Sequence, residues 1–96
     1  MKKIKILNHE YDLVDVDFIS EIDDFITIGD TDYTTNTIRI KKGLPKSRAT
    51  QAMWHEIVHG ILDALGRIEE NKNEDLVDCI ATGICCVLAD NDFLKK

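Results

Sequence analysis

Residues 46–65 constrain the fold most strongly, because they have the pattern of one long amphipathic helix. Apolar side chains recur every three or four positions, the period that places them on one helical face. They are Met53, Trp54, Ile57, Val58, Ile61, Leu62 and Leu65. Pro45 suits a helix start and Gly66 a left-handed C-cap. We therefore predict a helix over residues 45–66, packed by its apolar face on another element.

The middle of this predicted helix carries the sequence His55-Glu56-Ile57-Val58-His59. Positions four apart lie on one helical face, so both imidazoles can reach the same metal ion. Zinc accepts such ligands, and with an open position it lowers the pKa of its bound water to about 7. Glu56 would lie beside that water, placed to accept its proton. The motif therefore predicts a zinc site with Glu56 as general base.

Gly60 directly follows this motif. Glycine in a helix interior costs about 1 kcal/mol relative to alanine. We interpret it either as a position where another backbone approaches closely or as a tolerated glycine.

A second helix is predicted over residues 73–90. Asn73 is a good N-cap, and the acidic residues after it suit the positive end of the helix dipole. A short polar turn over residues 67–72 joins the two helices, which favours an antiparallel pair. The start of the second helix would then return toward the two histidines.

Carboxylates at that start are candidates for a third metal ligand. We assign Glu74 to the metal and Asp78, four positions later on the same face, to the free ring N–H of His55. Both could instead be solvated acids at a helix start. Rival ligands remain in the turn and in the first turn of the helix. They are Glu69, Glu70 and Asp75.

These segments together resemble the gluzincin arrangement of thermolysin, in which a glutamate on a following helix is the third zinc ligand. Residues 54–62, followed by Glu74-x-x-Val77-Asp78-x-x-Ala81, resemble the ImmA/IrrE-type metallopeptidases of bacteria, phages and mobile elements. The resemblance covers residues 36–90 and extends to small phage and prophage proteins of this type.

The resemblance implies a zincin-like metallopeptidase with one Zn²⁺ per chain. His55, His59 and Glu74 would be the metal ligands, and Glu56 would be the general base. The substrate would be a peptide bond in an exposed segment of a protein, a regulator being one candidate.

The resemblance also implies that an extended substrate binds along a sheet edge beside the active-site helix, by main-chain hydrogen bonds. The strand around Ile38, Arg39 and Ile40 is the candidate edge here, although Arg39 also fits simple protection of an edge against aggregation. A donor for the tetrahedral oxyanion is expected as well. Tyr33, in a loop, is preferred to Tyr11, and either could be an ordinary interface or core tyrosine.

Alternating apolar residues predict strands over most of residues 1–43. The predicted strands span residues 3–7, 11–16, 25–29 and 37–41, and the last two should form a hairpin across a turn at 30–36. We place a tight turn at Asn8-His9, a bulge or strand end between Leu13 and Val14, and a short helical turn in the acidic segment 18–24.

The order of these elements predicts a single α+β domain over residues 1–96. It would contain a short antiparallel sheet of about four strands, followed by two antiparallel helices that carry the metal site.

Composition and charge exclude several classes of function. The chain is 44% hydrophobic and 31% charged, which supports one modest core. A net charge of −6 argues against a nucleic-acid-binding surface. No apolar run approaches the roughly 18 residues of a membrane span, and the N-terminus lacks the apolar region of a signal peptide. We expect a cytoplasmic protein without a membrane partner.

Cys79, Cys85 and Cys86 all fall on the second predicted helix. Their spacing fits neither a zinc site nor a redox pair. We interpret them as small buried hydrophobic residues in a reducing compartment.

Two other classes remain open beside the metallopeptidase. A zinc-binding protein-interaction module with little or no proteolytic activity would suit the small size, although binding metal does not require Glu56. A structural α+β domain without metal predicts that a chelator leaves the melting temperature unchanged.

Overall fold

The computed structural model describes residues 2–22 and 25–95 of the 96-residue chain and has an α+β fold. Its strands are β1 Lys2–Ile6, β2 His9–Val16, β3 Glu21–Ile22, β4 Phe25–Ile26, β5 Gly29–Asp32 and β6 Thr37–Lys41. Its helices are α1 Lys46–Ala64, α2 Ile68–Lys72 and α3 Glu74–Asp90, followed by a 3-10 turn at Asp92–Lys95. The predicted α+β class is confirmed.

Four strands form a mixed sheet in the order β1-β2-β6-β5. The β1–β2 and β5–β6 pairs are antiparallel, whereas β2 and β6 run parallel with Leu13 beside Ile38. The prediction of a purely antiparallel sheet was therefore wrong. Residues 17–36 provide a crossover long enough for β6 to enter the sheet in the same direction as β2.

The connections in the first hairpin also differ from the prediction. Ile6 pairs with His9, so the tight turn consists of Leu7 and Asn8, and Leu7 has a φ of 54°. No bulge separates Leu13 from Val14, because β2 continues in unbroken register with β6 through both residues.

The predicted strand over residues 25–29 is divided in two. Its first half, β4, pairs with β3 in a separate two-stranded sheet. Its last residue, Gly29, begins β5, which extends into residues predicted as turn. Residues 18–22 do not form the predicted helical turn, and residues 23 and 24 lie outside the described residues.

The main core lies between one face of the mixed sheet and α1. Its fully buried members are Ile6, Tyr11, Ile38, Ile40, Ala52 and Ile57. A Cβ added at Gly60 would lie 2.8 Å from Cδ1 of Ile6. The close neighbour of Gly60 is therefore a side chain and not another backbone.

A smaller cluster, formed by Val58, Val77 and Ala81, joins α1 to α3. Polar contacts also join the helices, among them Gln51 with Thr82, His55 with Asp78 and His59 with Glu74. Later residues of α1 thus meet earlier residues of α3. These contacts bring the start of α3 to the middle of α1, where the two histidines lie.

The helix ends show the signals that the sequence predicted. Gly66 has a φ of 72°, and the Arg67 N–H donates to the Leu62 carbonyl in a Schellman-type end. The Asn73 side chain accepts a hydrogen bond from the Leu76 N–H at 3.0 Å. The predicted polar turn between them is instead the short helix α2.

The cysteines of α3 are free thiols: Cys79 and Cys86 are exposed, and Cys85 is half-buried. Their interpretation as small buried residues was therefore wrong. Helix α3 buries only a narrow face, formed by Val77 and Ala81, and the cysteines lie outside it.

Candidate metal centre

His55, His59 and Glu74 bring three potential ligand atoms together between α1 and α3. One ligand atom from each residue lies within 4.8 Å of the other two. Nε2 of His59 is 2.6 Å from Oε1 of Glu74, and Nε2 of His55 is 3.5 Å from the same oxygen. These three side chains could hold a metal ion. Among the described residues, no rival carboxylate joins them; the rivals were Glu69, Glu70 and Asp75.

Each imidazole is held on its outer side by a second hydrogen bond. Nδ1 of His55 lies 3.3 Å from Oδ1 of Asp78, and Nδ1 of His59 lies 2.6 Å from Oδ1 of Asn71. Both oxygens can only accept, so each Nδ1 is the donor, and each Nε2 is left facing Glu74, where a metal ion could be bound. The Asp78 contact was predicted from the sequence, whereas the Asn71 contact was not.

The orientation of the two imidazole rings makes the cluster a suitable site for a cation. Two nitrogen lone pairs and a carboxylate oxygen converge, and they repel unless a proton or a metal ion lies among them. Donor atoms around one tetrahedral zinc are about 3.3 Å apart, given bond lengths of about 2.0–2.1 Å. The His55–Glu74 separation is close to this value. The shorter His59–Glu74 contact can lengthen, because the Glu74 side chain is 69% exposed.

Glu56 lies directly beside the cluster and is buried, with only 7% of its surface exposed. Oγ1 of Thr31, on β5, donates a hydrogen bond to Oε1 of Glu56 at 2.8 Å. A Cβ on Gly29 would lie 3.4 Å from Oε2, so β5 passes close to the carboxyl group. Burial raises the pKa of Glu56, while Thr31 and the imidazoles oppose the rise. The result is a pre-oriented carboxyl group with increased proton affinity.

Tyr33 reaches the same place from the turn between β5 and β6, and it lines a cavity together with Glu56, His59 and Glu74. Its hydroxyl accepts a hydrogen bond from Nδ2 of Asn71 at 3.0 Å. The phenolic hydrogen therefore remains available for another acceptor. A phenol keeps this hydrogen at neutral pH, and burial raises the pKa of Tyr33 further.

Tyr11, the rival oxyanion donor, is only 1% exposed and belongs to the core between the sheet and α1. Its position follows from β2, whose inward face carries it under α1. The structure thus brings Tyr33 but not Tyr11 to the cluster.

The free sheet edge beside the cluster belongs to β5 and not to β6. Strand β6 pairs with β2 on one side and with β5 on the other, so Ile38, Arg39 and Ile40 lie in the sheet interior. The prediction of an edge at these residues was wrong. Arg39 instead forms an ion pair with Asp30 on the neighbouring strand.

Two cavities flank the cluster. One, of about 340 Å³, extends from His55 and Asp78 toward the start of α1. The other, of about 480 Å³, lies beside His59, Tyr33 and α2. A third, smaller cavity runs along β5 and borders Glu56 and Glu74; it shares lining residues with each of the other two cavities. The cluster therefore lies in the middle of an open cleft.

Two polar partners of this site, Thr31 and Asn71, were not predicted from the sequence. Both lie in segments that the sequence indicated as turns, and neither has a spacing relation to the histidines that a local pattern could reveal. Each reaches the site only through the tertiary positions of β5 and α2.

The chain matches no protein-family model, no curated protein and no solved structure. Among the described helices, none combines the length and the apolar character that crossing a membrane requires.

Proposed function

We propose that the protein is a small zinc-dependent metallopeptidase of the gluzincin type, with Glu56 as its general base. The buried position of Glu56 beside three convergent ligand atoms carries this proposal. Burying a carboxyl group is unfavourable unless its interactions compensate, and holding a metal does not require this residue. A role in proton transfer explains why Glu56 occupies this place.

The residues of the site have distinct roles in this proposal. His55, His59 and Glu74 would hold the zinc ion, and Asp78 and Asn71 would orient the two imidazoles. When bound, zinc would polarise the peptide carbonyl and lower the pKa of a coordinated water to about 7.

Proton transfer falls to Glu56. Its Oε1 is held by Thr31, so Oε2 remains to accept a proton from the attacking water. The raised pKa of Glu56 favours its carboxylic acid form after it has accepted this proton. Glu56 then passes the proton to the leaving amine. Tyr33 would donate its phenolic hydrogen to the oxyanion that forms from the substrate carbonyl.

We also propose that the fold is zincin-like and related to the ImmA/IrrE type. The order of contacts between α1 and α3 supports an antiparallel helix pair that carries the ligands. The free edge of β5, next to Glu56, supports binding of an extended peptide by strand addition.

The test begins with the zinc content of the purified protein and of His59→Ala. We expect about one zinc per chain, lost in the variant. Glu56→Gln should keep its zinc but hydrolyse a fluorescein-labelled unfolded protein about 100-fold or more slowly. Glu69→Gln is the matched control, because Glu69 is 86% exposed and its carboxylate pairs with Lys72, away from the ligand atoms. A Glu56→Gln variant with the full hydrolytic rate would show that the mechanism is wrong.

A second candidate is a zinc-binding protein-interaction module with little or no proteolytic activity. The exposed apolar residues of the β3–β4 hairpin favour it, since Ile22 is 67% exposed and Phe25 is 79% exposed. In that case Glu56→Gln should leave partner binding intact, whereas Phe25→Ser should weaken it. A pull-down with both variants separates the two functions.

A further inference from the structure

The cavity between the cluster and the start of α1 has one cationic side chain, Arg48, among the described residues that line it. Its other lining residues are Ile28, Gly29, Gln51, Ala52, His55, Glu56, Glu74 and Asp78. Arg48 is exposed, and it forms no ion pair within residues 2–22 and 25–95. A guanidinium group in a cleft, without a partner in the described fold, is free to bind a ligand.

The charges in this cavity are separated along α1. The carboxylates of Glu74 and Asp78 lie within 3.5 Å of His55, at one end. Arg48 precedes His55 by seven positions, so helical rise separates the two Cα atoms by about 10 Å. The lining residue toward the start of α1 is thus a cation, whereas the carboxylates lie at the cluster.

The first turn of α1 strengthens the cationic character of this end. It contains Lys46 and Arg48 and no acidic residue, and Pro45 provides no side-chain cap. Cations at the positive end of a helix dipole repel it. An anionic ligand bound to Arg48 would offset the repulsion between the cation and the helix dipole. Without such a ligand, the repulsion remains.

We infer that Arg48 selects peptide substrates that carry a carboxylate about three residues from the scissile bond. An extended peptide advances about 3.3 Å per residue, so about three residues cover the rise of about 10 Å along α1 between His55 and Arg48. The guanidinium fork suits an acidic side chain and a C-terminal carboxylate equally well. Ile28 and Ala52 also line the cavity, which suits small apolar side chains there. The inference rests on the proposed function for the position of the scissile bond.

Peptide binding tests this inference without requiring turnover. The probe is a set of fluorescent, C-terminally amidated nonapeptides of Ala and Gln, in which one Glu replaces Gln at each position in turn. A second arm uses the all-Gln peptide with a free C-terminal carboxylate. Anisotropy titrations use zinc-loaded Glu56→Gln protein, and they are repeated on the protein without zinc.

We expect one of the two carboxylate sources to tighten binding about fivefold, the upper range for an exposed ion pair. In the Arg48→Gln background this preference should fall to about onefold. In the Arg48→Glu background, a Lys at the same peptide position should be preferred instead. Lys46→Gln is the matched control, because it removes a cation from the same helical turn but does not line the cavity, and it should keep the preference.

The outcomes separate this inference from the proposed function. A carboxylate preference that depends on Arg48 supports the inference even if the wild-type protein cleaves none of the peptides. Cleavage of the peptides without any carboxylate preference overturns the inference and leaves the peptidase proposal standing. An equal loss of preference in Lys46→Gln also overturns it, because the effect would then come from general surface charge.

Discussion

Asn71 gives the sharpest test of how the site is organised, because one amide contacts both a proposed metal ligand and a proposed oxyanion donor. Its Oδ1 accepts from Nδ1 of His59 at 2.6 Å, and its Nδ2 donates to the Tyr33 hydroxyl at 3.0 Å. Loss of such an outer partner costs about 10- to 100-fold in metal affinity. We therefore expect Asn71→Leu, which has a similar volume, to weaken zinc binding by about 1.4–2.7 kcal/mol.

Asn71→Asp separates the two contacts. The introduced carboxylate still accepts from His59 but has no hydrogen to donate, so it draws the Tyr33 hydroxyl hydrogen to itself. We expect this variant to keep its zinc and to hydrolyse the labelled unfolded protein about 100-fold more slowly, as for loss of an oxyanion donor. Tyr33→Phe should behave in the same way.

Zinc affinity is measured by competition against a chelating dye, with circular dichroism to verify that each variant is folded. Asn91→Leu is the control, because it removes an amide hydrogen bond to the Val87 carbonyl at the end of α3, away from the cluster. Wild-type zinc affinity in Asn71→Leu would refute the reasoning. So would full hydrolytic activity in a folded Asn71→Asp variant.

Four further predictions concern stability. Gly83→Ala should stabilise the protein by up to about 1 kcal/mol, because among the described residues the added Cβ would meet no atom within 4 Å beyond the adjacent residues and the backbone of its own helix. The free energy of unfolding of Gly60→Ala should be about 1–3 kcal/mol lower than that of Gly83→Ala, because the added Cβ would lie 2.8 Å from Cδ1 of Ile6. Equal shifts of the urea midpoint in the two variants would contradict this prediction. Hydrogen bonds from Thr34 and Thr35 lower the pKa of Asp32 in the folded protein. Asp32 therefore stabilises the fold above its ordinary pKa of 3.8, and this stabilisation is lost as the pH falls through the lower pKa of the folded state. The difference in melting temperature between wild type and Asp32→Ala should therefore disappear in acid. Removal of metal with a chelator should lower the melting temperature of the zinc-loaded protein, because a ligand that binds only the folded state stabilises it; an unchanged value would favour a domain that does not bind metal.

Local patterns predicted the helical half of the molecule well. The apolar period around Ile57 and Ile61 and the terminal signals at Gly66 and Asn73 indicated helices close to those observed. These signals act within one or two helical turns, so they do not depend on the rest of the fold. The contact of Asp78 with His55 could be predicted in the same way, because Asp78 lies four positions after Glu74 on the same face of the second helix.

The strand half was predicted less accurately, because strand alternation does not reveal a strand's neighbours. Ile38 and Ile40 alternate with polar residues in the way that an edge strand would, yet they lie in the sheet interior and are buried. The parallel pairing of β2 with β6 is a long-range choice that no local period encodes. The cysteines of α3 were misjudged for a related reason, since their burial depends on how much of the helix another element covers.

The sequence by itself determined the pair His55 and His59 and the acid beside them, because helical periodicity relates residues four apart without reference to the rest of the chain. Only the tertiary structure decided what surrounds that motif. Thr31 reaches Glu56, and Asn71 reaches His59, across 25 and 12 positions of the chain. Contacts of that kind arise when the sheet and the helices pack together to bury their apolar faces, and the final packing selects the polar groups that meet at the cluster.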